Sequence, residues 1–267
     1  MGATEESRKN QLSRFAISIT AALLSVAAFG QKTFTPPRLS DGVTPDFRGI
    51  WQTASTANVN IEGHPAQKGI SAGKSIIVDP ADGKIPYQAS ALAKRDANFR
   101  ARATADPSSK CFQAGVPRAT LLPLPLQIVQ SPGNFAIVYQ DVHSYRIIYL
   151  DGRPHMERID WWMGDSRGRW DGDSLVVDVS DLNDETWFDQ AGNYHSEEMR
   201  VMERYTLTGP DSLLYEATMT DPKTFIKPWK ITVTLQRHKE PGFRIIEDEC
   251  ADDSKGRRYH VSPITAQ

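Results

Sequence analysis

The chain has 267 residues, 24% of them charged, with a formal net charge of −2 and two cysteines. That length suits one large β domain or two small ones. The near-neutral balance argues against a nucleic-acid partner, because binding phosphates requires a clustered basic surface.

Residues 1–30 read as a secretory signal peptide. Arg8, Lys9 and Arg14 make a basic start, an uncharged run FAISITAALLSVAAF follows from Phe15 to Phe29, and Ala28 and Gly30 supply small residues before a cut at Gln31. The run is too short for a comfortable membrane span. The expected location is periplasmic or secreted from a bacterium, with no stable membrane insertion after cleavage. Removing three basic and two acidic residues with the signal leaves 28 basic against 31 acidic. Lys255-Gly256-Arg257-Arg258, beside the acidic run from Glu247 to Asp253, reads as a solvated C-terminal face. In an oxidising compartment Cys111 and Cys250 form a candidate disulfide.

Residues 31–45 are Pro-rich and polar, an extended lead-in. The rest, 46–267, reads as one β-barrel-like domain with a helix and an arm inserted at 80–126. Asp46 to Gln52 begins a strand whose Gly49-Ile50-Trp51 resembles the Gly-x-Trp opening of lipocalin-like barrels, where the Trp plugs the closed end. Residues 53–75 have no period and read as a long loop. Lys74 to Asp79 is a short strand, and Gln88 to Arg102 has helical spacing. Pro107, Pro117, Pro123 and Pro125 exclude helix and central strand from 105–126 and predict an irregular arm.

From 127 onward the pattern predicts strands near 127–130, 134–142, 145–150, 174–179, 199–207, 213–220, 229–237 and 243–249. Turns at Pro132-Gly133, Asp151-Gly152, Asp171-Gly172, Gly209-Pro210-Asp211 and Pro241-Gly242 separate most of them. Trp229, Ile231, Val233 and Leu235 alternate with polar residues, the mark of a strand with one wet face. The fold class is therefore mainly β, an antiparallel calycin-like barrel or a strongly curved sheet, with one helix near 88–102 and a Pro-rich arm. Residues 180–198 make a long loop with its own aromatics, suited to cover a barrel mouth.

Two blocks carry a resemblance. Gly168-Arg169-Trp170-Asp171-Gly172-Asp173-Ser174-Leu175-Val176-Val177-Asp178 fits G-x-W-x-G-D-[ST]-L-V-V-[DE], and Thr186 to Ser196 fits T-W-x-D-x-x-G-x-x-H-S. An arm from Cys111 to Arg118 matches Cys-x-x-G-x-P-R with one extra residue. Over most of 75–250 the chain resembles a family of uncharacterised exported bacterial proteins. The resemblance implies export and a calycin-like β fold, and it carries no activity or catalytic residue.

Polar residues inside the strand runs point to the chemistry, since such types rarely stay in a sheet core without a partner. His143, His155 and His195 lack any H-x-H or H-x-x-x-H pair, so neither a metal nor another cofactor is expected. As acid–base residues, His155 or His195 would serve as base and Arg146 as anion clamp, with Asp141 and His143 in reach. Alternation along 199–207 puts Met199, Val201, Glu203 and Tyr205 on one face and Arg200, Met202, Arg204 and Thr206 on the other. One of Glu203 and Arg204 then points inward and needs a counter-charge: Arg146 suits Glu203, and Asp178 or Asp141 suits Arg204. Tyr139, Trp161, Trp162, Trp170, Trp187 and Phe188 are candidate pocket walls or core plugs. Asp171-Gly172-Asp173 reads as a hairpin turn, because a calcium loop needs more oxygen ligands. A G-x-S-x-G elbow, a phosphate loop and a dinucleotide fingerprint are all missing. Three classes of function follow: an exported barrel binding a small apolar or aromatic molecule, a cofactor-free lyase or isomerase, and an envelope interaction module.

Overall fold

In the computed structural model, residues 34–156 and 159–247 are described. The expected signal peptide, Cys250 and the basic cluster at 255–258 lie outside them. Strands β1 (Gly49–Thr53), β2 (Gly63–His64), β3 (Gly73–Lys74) and β4 (Ile77–Asp79) precede helix α1 (Ala89–Ala105) and a one-turn helix α2 (Arg118–Leu121). Then come β5 (Leu126–Ser131), β6 (Asn134–Tyr139), β7 (Tyr145–Tyr149), β8 (Asp165–Asp171), β9 (Ser174–Ser180), β10 (Arg200–Gly209), β11 (Ser212–Thr220) and β12 (Trp229–Arg237).

β1 and β5 to β12 form a closed nine-stranded barrel, because β12 pairs back onto β1 through Leu235, Gln236 and Arg237. Closure removes the exposed edges that an open sheet leaves. β4 takes the remaining length of the same β12 edge, at Lys230 and Ile231. The expected antiparallel order holds at every barrel pairing except β7–β8, which is parallel and matches only Ile148 with Ser166 and Tyr149 with Arg167. A ring that alternated direction at every step would need an even number of strands. Nine therefore force one parallel pair, and a parallel pair requires a crossover connection. Here the crossover is 150–164.

Alternation fills the lumen. Along β10, Val201, Glu203, Tyr205 and Leu207 are buried, while Arg200, Met202 and Arg204 face out. The first strand forms where the Gly-x-Trp pattern falls, with its tryptophan inside. Trp51 is fully buried, donates from Nε1 to the Phe47 carbonyl (3.0 Å), and carries the Arg237 guanidinium 4.1 Å from its ring centre.

Several expectations change. No strand forms at 243–247, because β1 and β4 already occupy the free edge of β12; Phe243 instead stacks on His238. Strand β8 had no apolar signal. Its inward residues are Ser166, Gly168 and Trp170, opposite Val179, Val177 and Leu175. Gly168 is required by packing, since a Cβ there would come within 2.6 Å of Ile148 Cγ2 and 2.7 Å of Leu150 Cδ2. The arm holds helix α2 despite its prolines, because Pro117 sits at the helix start, where a missing N–H costs nothing. The loop at 53–75 contains the small β2–β3 hairpin. Helix α1 extends three residues beyond the expected end and buries only Ala91. Among the described residues, no helix is long and apolar enough to cross a membrane.

Candidate functional site

The lumen encloses a charged pair. Arg146 on β7 and Glu203 on β10 meet in a bidentate bridge, with Nη1 3.1 Å from Oε1 and Nη2 2.6 Å from Oε2. Their side chains are 1% and 0% exposed. Tyr205 and Tyr215 donate their hydroxyls to Glu203 Oε1 at 3.0 and 2.8 Å. Arg146 Nη2 also donates to Ser166 Oγ (2.9 Å), and Nη1 reaches Tyr139 Oη at 3.5 Å. Small neighbours make room for the pair: the cross-barrel row through Glu203 runs Gly168, Val177, Glu203, Ala217. Burial works against the Arg146 charge, but Glu203 outweighs it and holds the guanidinium protonated well above its ordinary range. Burial, with the Glu203 charge beside them, pushes Tyr205 and Tyr215 well above the usual phenol value, so both remain donors. Thus Glu203 is the inward member of its pair and Arg146 its partner. Arg204 faces outward and pairs with Asp171, not with Asp178 or Asp141.

At the parallel seam β7 and β8 diverge, and a cleft of about 460 Å³ opens between them. Its walls include Tyr145, Tyr149, Trp161, Trp162 and Met156, and Arg146 and Ser166 also line it. Trp162 stacks on Phe112 of the arm with ring centres 4.7 Å apart and planes 9° apart, which fixes the far wall. Trp161 is tied to the β9 exit by Trp161 N–H to Asp181 O and Asn183 N–H to Trp161 O. Tyr145, Ile147 and Trp161 are exposed at the mouth. Arg146 Nε lies buried without a hydrogen-bond partner.

Beside this cleft lies His155. Its Nδ1 is 3.0 Å from Asp165 Oδ2 and its Nε2 3.3 Å from Asp178 Oδ2. Asp165 lines the cleft, and its Oδ2 also receives Arg167 and the Met156 N–H. His155, Asp165 and Asp181 each bring a ligand atom within 4.8 Å of the others, and Arg167 already donates to Asp165 Oδ2.

The remaining sequence candidates are dispersed. His195 is buried in the 181–199 loop. A carbonyl can only accept, so Nδ1 carries the proton toward Ser196 O (2.9 Å), and Thr186 donates its hydroxyl to Nε2 (2.7 Å). Burial pushes the His195 pKa down, consistent with a neutral ring held for structure. Asp141 and His143 sit in the β6–β7 turn, where Val142 and His143 have φ of 37° and 55° and His143 is exposed. Trp170 packs on Phe47 and Phe188 on Trp229, as core. Trp187 is buried with Ala91 and Tyr194 beneath α1. Tyr139, Arg146 and Glu203 are brought together, while Trp161 and Trp162 form the cleft wall. Met156, Asp165 and Ser166 were missed, because the run 165–171 carries no apolar alternation to mark it as a strand.

Fold and site together define a closed calycin-like barrel with a cleft at its parallel seam. No protein-family model matches the chain, and no curated protein matches it in sequence.

Asp189 is the other buried carboxylate of note. It accepts N–H groups from Ile61, Ala191 and Asn193 and the Asn193 amide, stapling the 58–61 segment to the long loop. Burial pushes its pKa from 3.8 up to about 6, against the pull of those donors. A raised folded pKa contributes stability that is complete below the unfolded value and lost as pH rises through 6. In urea unfolding, the advantage of wild type over Asp189→Asn should therefore grow by about 1 kcal/mol between pH 7 and pH 5; an unchanged difference would refute this. For the lumen, Glu203→Gln leaves Arg146 buried without a counter-charge. It should cost about 3–5 kcal/mol in the same assay, and a loss under 1 kcal/mol would mean the pair is not as enclosed as described.

Proposed function

We propose that the protein is an exported barrel that binds a small, largely apolar or aromatic molecule in the cleft at the β7–β8 seam. The observation that carries this reading is an aromatic-walled cleft bordered by a buried guanidinium with one N–H to spare. Ligand clefts are mostly apolar with a few convergent polar groups, on the order of 300–1,000 Å³. Binding is favoured over lyase or isomerase chemistry because neither His155 nor His195 is among the residues that line the cleft. His195 is closed off by Thr186 and Ser196, and His155 is held through Nδ1 by Asp165, its buried Nε2 lying 3.3 Å from Asp178 Oδ2 without a hydrogen bond. Arg146 brings no net charge as an anion clamp, since Glu203 already neutralises it. An interaction module without a pocket accounts for neither the cleft nor its buried donor.

Export rests on the basic start and apolar run of residues 1–30. With it goes a Cys111–Cys250 bridge, which in the chain-entropy model is worth roughly 4–5 kcal/mol at most. Reductant should lower the melting temperature of the wild type by several degrees and leave Cys111→Ala unmoved; equal melting of the wild type with and without reductant would dismiss the bridge. For the ligand, a thermal-shift panel of aromatic acids, phenolics, lipids and divalent metals is the direct test. An aromatic hit near a hundred times its Kd should raise the melting temperature by roughly 5–10 °C. Ile147→Arg, an exposed change at the cleft mouth, should abolish the shift. No aromatic hit, or a hit indifferent to Ile147→Arg, would defeat the proposal.

A further inference from the structure

The hydrogen-bonding inventory beside the cleft is one-sided. Arg146 has five N–H donors. Nη1 spends its two on Glu203 Oε1 and Tyr139, and Nη2 spends its two on Glu203 Oε2 and Ser166. The fifth, on Nε, is buried and unused. Ser166 Oγ accepts from Arg146, and its own O–H has no acceptor among the described residues. Both residues line the cleft. The acceptors nearby are spoken for: Glu203 Oε1 receives Arg146 and two tyrosines, and Oε2 receives Arg146. Arg146 thus offers a donor only, while Ser166 offers its O–H and one remaining lone pair, so donors outnumber acceptors.

Charge narrows the choice further. Arg146 and Glu203 cancel, so an anion would lose its hydration without meeting net positive charge. The rim carries Asp160, exposed, and Asp165, which is held by Arg167 and His155; neither invites a carboxylate. A cation could meet Asp160 at the rim, but deeper in the cleft it would face the like charge of the Arg146 guanidinium, which has only donors to offer. A neutral oxygen acceptor meets neither difficulty. It gives a buried donor the partner whose absence is costly, while the aromatic walls take the flat apolar remainder.

We infer that the cleft selects a flat, neutral molecule whose carbonyl oxygen is received by Arg146 Nε–H and Ser166 O–H, as in an aromatic ketone, quinone or lactone. This rests on the cleft being the ligand site, and the test separates the two claims. Four probes share one ring system: naphthalene, 2-acetylnaphthalene, 2-naphthoate and 2-naphthylmethylammonium. Each is titrated into the purified protein by calorimetry. The ketone should bind tightest, about tenfold better than naphthalene, as one or two net hydrogen bonds allow. Ser166→Ala should narrow that gap to within about threefold. Equal binding of ketone and naphthalene, or tightest binding by the naphthoate or the ammonium, would overturn the inference and leave the cleft standing as an apolar site. If none of the four binds, the ligand-site reading falls and the inference with it. The probe series in the wild type decides the matter even if Ser166→Ala does not fold.

Discussion

Closing nine strands into a ring forces a parallel pair, and the rest of the molecule follows from where that pair falls. Eight or ten strands could alternate without a break. Nine cannot, and here the break lies between β7 and β8. A parallel neighbour cannot be reached by a tight turn, so the chain must travel back along the wall before β8 begins. That return path supplies Met156, Trp161 and Trp162. The short parallel ladder leaves the two strands apart above it, and the cleft is the space between. The opening in the wall is therefore a product of topology, with the side chains furnishing it afterwards.

The charged pair in the lumen bears on the same seam. A barrel of this size could be filled with hydrocarbon, and most of this one is. Glu203 and Arg146 replace part of that filling with a network in which every carboxylate oxygen is met and all but one guanidinium N–H is used. Such a pair is a weak source of net stability, because desolvation offsets most of the attraction. Its effect here is positional. It holds Arg146 against Ser166, so that both residues are fixed beside the cleft at the parallel seam.

What the amino-acid pattern disclosed divides along physical lines. Period-two alternation put one of Glu203 and Arg204 inward and nominated Arg146 as the partner for Glu203, because a buried charge has few alternatives; which of the two turned in was settled only by the fold. Gly49-Ile50-Trp51 announced a buried tryptophan on the first barrel strand, and Asp171-Gly172 announced a hairpin. Strand β8 stayed hidden because its inward face is Ser, Gly and Trp. Those residues were chosen for the space they leave to Ile148, Leu150 and Arg146, and no hydrophobic rhythm results. The parallel seam was equally hidden, since a strand's direction is a property of the ring and leaves no mark on the strand itself. Among the histidines, residue type alone could not separate His195, which braces a loop, from His155, which adjoins the cleft. Only the tertiary neighbours, Thr186 and Ser196 for one and Asp165 for the other, make that distinction.

The pairing of β12 with β1 has a kinetic consequence. Trp51 and Arg237 meet at the join, so the first barrel strand cannot be sealed until nearly the whole polypeptide has been made. Contacts of such long sequence separation slow folding, because a large loop must be closed before the contact repays it. Hairpins such as β10–β11 can form early, but the cylinder itself is completed last. A chain built this way remains an open, curved sheet through most of its synthesis, and the ring exists only once the earliest barrel strand meets the latest.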